Sequence, residues 1–83
     1  MTYKITILPV AQRQLEKLEK SLQQRILNAL ERIRMRPYGF VKKLSGSPYF
    51  RARVGDYRIV LDIKNNELRV FVVEIGHRKS IYK

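Results

Sequence analysis

The sequence predicts an α+β fold: an N-terminal strand, a two-helix hairpin and a three-strand antiparallel meander, with the helices packed on one face of the sheet. Three observations carry this. Residues 3–8 alternate and are rich in β-branched side chains. Residues 10–36 repeat their apolar positions at helical spacing. Residues 49–75 alternate again, around two tight-turn signals.

In chain order, Tyr3 to Leu8 (YKITIL) reads as the first strand, and Pro9 ends it and suits the first turn of a helix. From Val10 to Arg36 an apolar stripe runs through Ala11, Leu15, Leu18 and Leu22, then Ile26, Ala29 or Leu30, and Ile33. The length fits either two helices or one long bent helix. Ser21, with Gln24 three residues on, has the pattern of a capping box and favours a helical hairpin broken there. Pro37 stops the second helix, and Tyr38-Gly39 opens a loop that leads through Lys42, Lys43 and Leu44 towards residue 49. Tyr49 to Ile63 then reads as two strands joined by Gly55-Asp56, a dipeptide suited to a two-residue hairpin. Asn65-Asn66 is read as a second two-residue loop, which sets Asp62 opposite Arg69, and Leu68 to Ile75 is an apolar strand ending at Gly76.

Eighty-three residues make one domain, spanning 1–83. Cysteine is absent, which excludes disulfides and thiolate metal sites and fits a reducing cytoplasm. Neither a signal peptide nor an apolar run of roughly 18 residues is seen, so no membrane role is expected. The net charge of +11 is spread over the chain, +5 in residues 1–41 and +6 in 42–83. A basic body of this kind favours nucleic acid, an anionic surface or an acidic protein partner.

The hairpin concentrates that charge. With Gly55-Asp56 as the loop, Arg53 lies opposite Arg58, and Arg51 shares their face, while Phe50, Ala52, Val54, Tyr57, Ile59, Leu61 and Ile63 take the other. Like charges opposite one another destabilise a sheet, so a phosphate is the expected occupant. Val60, Phe71 and Val73 are expected to floor this basic face. The C-terminal segment Gly76-His77-Arg78-Lys79-Ser80-Ile81-Tyr82 adds cations and an aromatic side chain, as phosphate contact with base stacking requires.

KLSG at 43–46, FRARVGDYRIV at 50–60 and GHRKSIY at 76–82, together with the leading strand and helical hairpin, resemble the RelE/ParE superfamily of toxins from type II toxin–antitoxin systems, and its RelE branch in particular. The resemblance covers nearly the whole chain. It implies a small antiparallel sheet with two N-terminal helices, and a metal-independent, cofactor-free endoribonuclease that cuts mRNA in the ribosomal A site. It also implies a cognate antitoxin, acidic and presenting an amphipathic helix or extended tail, and a toxin–antitoxin complex that binds operator DNA through the antitoxin. By position, Arg58 matches the arginine that contacts the scissile phosphate, Arg78 the one proposed to protonate or stabilise the leaving 5′ oxygen, and Tyr82 the tyrosine that stacks on a base. Arg51 and Arg53 fall where some relatives carry two lysines, and Ser45 where some carry an arginine. Lys42, Lys43 and Lys79 are candidate RNA contacts. Arginine is a poor general base, so catalysis mainly by orientation and charge is the favoured expectation, with His77, the one imidazole, as a candidate acid or base. Two other readings share the sequence features: a ParE-like inhibitor of DNA gyrase, whose relatives generally lack the Arg–Arg–Tyr set, and an inactive nucleic-acid-binding homologue.

Overall fold

The structure, a computed structural model, describes residues 2–77. Strand β1 (Lys4–Ile7) is followed by helices α1 (Pro9–Glu16) and α2 (Lys20–Met35), then by β2 (Lys42–Lys43), β3 (Phe50–Val54), β4 (Tyr57–Lys64) and β5 (Arg69–His77). The sheet order is β1-β5-β4-β3-β2. The predicted meander is present and gains β2, a two-residue strand at the edge. The sheet is mixed and not wholly antiparallel, because β1 pairs parallel to β5. Three successive reversals from β2 bring β5 back pointing the same way as β1.

The helical hairpin forms, but its break lies ahead of Ser21. Glu19 is the N-cap of α2, without a side-chain capping bond, and Ser21 is already helical. The turn is closed instead by Gln23, whose Nε2 donates to the Leu18 carbonyl at 2.7 Å. Leu8 caps α1, and Pro9 occupies its first turn, where a missing N–H costs nothing. The apolar stripe then buries Ala11 and Leu15 of α1 and Ile26, Leu30 and Ile33 of α2 against Ile59, Leu61, Val70, Val72 and Ile75 of the sheet. Complete burial of each of Ile26, Ile33, Ile59 and Leu61 contributes about 1.5–3 kcal/mol. Beyond the reach of β1, the Ile75 N–H would face no strand, and Gln14 of α1 accepts it at 2.7 Å.

The second turn departs from expectation. Residues Asn65–Glu67 form a 3-10 turn, and Leu68 follows in the left-handed region at φ 53°. Four residues therefore separate the strands, so Lys64 pairs with Arg69 and Asp62 with Phe71, not Asp62 with Arg69. Asn65 is fixed in the turn because its Oδ1 accepts both tyrosine hydroxyls, Tyr3 at 2.9 Å and Tyr38 at 3.0 Å. A second irregularity lies further along. Leu61 pairs with Val72 but Val60 with Glu74, which leaves Val73 as the extra residue of a bulge. Glu74, and not Val73, thus stands opposite Val60 on the outer face.

Candidate nucleic-acid interface

The Gly55-Asp56 hairpin has the predicted register. Val54 pairs with Tyr57, Arg53 with Arg58, and Arg51 with Val60. Gly55 adopts φ +59°, as such a turn requires. Since side chains alternate, Arg51, Arg53 and Arg58 share the sheet face turned away from the helices. Lys42 joins them, because it pairs with Arg51. Partners across strands lie about 4.5–5.5 Å apart at Cβ, and successive same-face positions roughly 6.6 Å apart, so these four cations cover a patch the size of one or two phosphodiesters.

Arg58 is the anchor of this patch. It lies on the central strand β4, is only 4% exposed, and faces Arg53 on one side and Gly76 on the other. Gly76 places no side chain beside the guanidinium. A guanidinium so far removed from water carries a desolvation cost, and any anion that reached it would meet little competing solvent. Arg53 is exposed, and its Nε donates to the Gly55 carbonyl at 3.2 Å, which fixes its plane near the turn. Phe71 and Val60 supply the apolar part of the face. Phe71 is half-buried, with the Arg69 guanidinium 5.0 Å from its ring centroid.

The remaining candidates divide. Lys43 pairs with Phe50 on the opposite face, and its Nζ sits 4.9 Å from that ring, so it does not share the patch of Lys42. His77 pairs with Tyr57, which packs against the core, and their rings meet edge-on at 5.4 Å. The imidazole therefore lies on the helix side of the sheet, away from Arg58. Arg78, Lys79 and Tyr82 lie outside the described residues.

Two groups of cations escape the sequence reading. Lys4, Arg69 and Lys64 form a row across β1, β5 and β4 on the outer face, with Lys64 paired to Asp62 at 3.5 Å. The expected two-residue loop concealed this row by placing Asp62 opposite Arg69. The second group is Arg25 and Arg32 of α2, which line a pocket with Arg53 and Phe40. Their spacing of seven residues, two helical turns, was a legible signal that both share one helix stripe.

No curated protein matches the sequence. The chain is similar in structure to a chain of the RelBE2 toxin–antitoxin complex from Mycobacterium tuberculosis, with TM-score 0.83, 23% identity, and coverage of 94% of this chain and 100% of that one. It is also similar to a chain of the archaeal RelE–RelB complex from Pyrococcus horikoshii, with TM-score 0.82, 27% identity, and coverage of 94% and 97%. An arginine-substituted E. coli toxin RelE in the free state superposes with TM-score 0.84 at 21% identity, over 99% of this chain and 90% of that one. The family model of the ParE toxin of type II toxin–antitoxin systems matches residues 5–82. A match of that length, on this fold, makes the chain a member of the ParE toxin family of type II toxin–antitoxin systems, within the RelE/ParE superfamily.

Proposed function

We propose that this toxin is a ribosome-dependent endoribonuclease of the RelE kind, which cleaves mRNA in the A site by attack of a 2′-OH on the adjacent phosphate. The observation that carries the reading is the pairing of Arg53 with the buried Arg58 on an outward sheet face, with Arg51 and Lys42 beside them. Such cleavage needs an aligned nucleotide, stabilisation of the negative phosphorane, and proton transfers at the 2′-OH and the 5′ oxygen. Fixed guanidiniums meet the second need, since each offers two parallel N–H donors to phosphate oxygens. Arg78 is assigned to the leaving oxygen and Tyr82 to stacking on a base by the family resemblance, and Lys79 to the RNA backbone by its charge. Proton transfer is not assigned to His77, whose ring lies on the other face of the sheet against Tyr57.

With arginine essentially never deprotonated, this chain contributes orientation and charge, and the ribosome completes the geometry. Cognate antitoxin binding follows the same electrostatics: an acidic amphipathic segment covers the arginine face of a +11 body, in a complex that meets operator DNA through the antitoxin. The test compares purified toxin on free mRNA and on programmed ribosomes. Cuts confined to A-site codons on ribosomes support the proposal, and equally efficient cutting of free RNA overturns it.

A further inference from the structure

The turn that orders the arginine face also borders a second basic site. β2 pairs only with Phe50 and Arg51, so the edge of β3 from Ala52 to Val54 is left open towards α2. Between them lies a pocket of about 290 Å³, near the lower end for small-ligand sites. Arg25, Arg32 and Arg53 line it, and no carboxylate does. Two of these guanidiniums converge on one residue. Arg25 lies over Gly55, with Nη2 3.5 Å from where a Cβ would be, and Arg53 donates to the Gly55 carbonyl. Among the described residues the ion pairs are Arg34 with Glu31 and Lys64 with Asp62, and neither involves these three arginines. Phe40 forms part of the wall and is 47% exposed, so its ring is accessible to a bound base.

We propose that this pocket, walled by Arg25, Arg32, Arg53 and Phe40, holds one unpaired ribonucleotide, with its phosphate on the guanidiniums and its base against the Phe40 ring. The inference rests on the reading of the protein as an RNA-cutting toxin and extends it to a second RNA contact. Convergent guanidiniums suit the several oxygens of a phosphate, and an aromatic face accepts any base. Arg53 belongs to both sites, so an RNA strand crossing the arginine face can pass around the open edge of β3 without leaving positive potential. An acidic amphipathic helix would satisfy the charges and the ring, but a pocket of about 290 Å³ is the size of a single nucleotide and not of a helix.

The test is direct binding of fluorescein-labelled hexauridylate at low salt, followed by anisotropy. Arg25 and Arg32 are exposed, so the double variant R25A/R32A is expected to keep its melting temperature within a few degrees. Its affinity should fall at least tenfold, while R13A/K17A, which removes equal charge from the last turn and C-cap of α1, should lose threefold or less. Irradiation of hexa-4-thiouridylate on the wild type should place a crosslink on Phe40. Equal losses in the two double variants, no RNA binding by the wild type, or crosslinks confined to other residues would overturn the site. On programmed ribosomes the R25A/R32A change should raise KM with kcat within twofold. Hexauridylate binding with the expected losses, but no ribosomal cleavage by the wild type, would leave the pocket standing and remove the ribonuclease reading.

Discussion

Arg58 is the residue on which stability and activity are expected to part. A guanidinium buried beside a second arginine pays a desolvation cost of several kcal/mol, which an apolar side chain of similar length does not pay. Methionine removes that cost together with the interaction Arg58 makes within the chain, so the two terms oppose and Arg58→Met should shift stability by no more than about 1–2 kcal/mol in urea denaturation. The same change should lower ribosome-dependent cleavage about 10²–10³-fold, the scale of one lost transition-state donor. A variant that lost both together would make Arg58 structural. The Arg53–Arg58 pair was legible in the sequence because a two-residue turn and strict alternation leave one register only. The side taken by His77 was not, since it depends on pairing with Tyr57 across a strand whose register the bulge at Val73 shifts.

The two hairpins show why one turn could be read and the other misread. At Gly55 the residue that needs positive φ is glycine itself, at +59°. Gly55→Ala should cost about 1–2 kcal/mol through backbone strain alone, measured by urea denaturation, since the added Cβ meets Arg25 at an ordinary 3.5 Å. In the second turn the signal residues Asn65 and Asn66 lie in a 3-10 turn, and the left-handed position falls to Leu68, which nothing local advertises. The two tyrosine hydroxyls that hold Asn65 come from the residue before β1 and from the short 3-10 turn Pro37–Gly39, so the register is a tertiary outcome. That register aligns Lys4 opposite Arg69. Lys4→Glu turns this like-charge pair into an opposite one and should stabilise the fold by about 0.5 kcal/mol at low salt, with most of the gain gone in 0.5 M NaCl. The helices were the most legible part, because their stripe is long, but the break near Ser21 was not. The Gln23 bond to Leu18 closes that turn and leaves no capping pattern in the sequence.

At the scale of the molecule, the proposed ribonuclease and a gyrase inhibitor of the ParE kind make different demands on the charge distribution. The family model carries the ParE name, while the similar structures are RelE proteins. A gyrase inhibitor acts through protein contacts, and nothing in that role needs a nearly buried arginine facing another arginine. A phosphodiester contact would use it, and in the proposed ribonuclease Arg78 and Tyr82 would act beside it by the family resemblance. The four cations clustered at the hairpin, Lys42, Arg51, Arg53 and Arg58, should by themselves contribute about −3 to the slope of log affinity against log salt in RNA binding, at roughly 0.7 per phosphate on a single strand. R58M should flatten that slope by close to one contact. In a supercoiling assay with DNA gyrase, the wild type is expected to show no inhibition at concentrations that saturate cleavage on ribosomes. Inhibition that survived R58M would mean that the arginine face is idle in poisoning, and that the protein acts by the ParE route through a different surface.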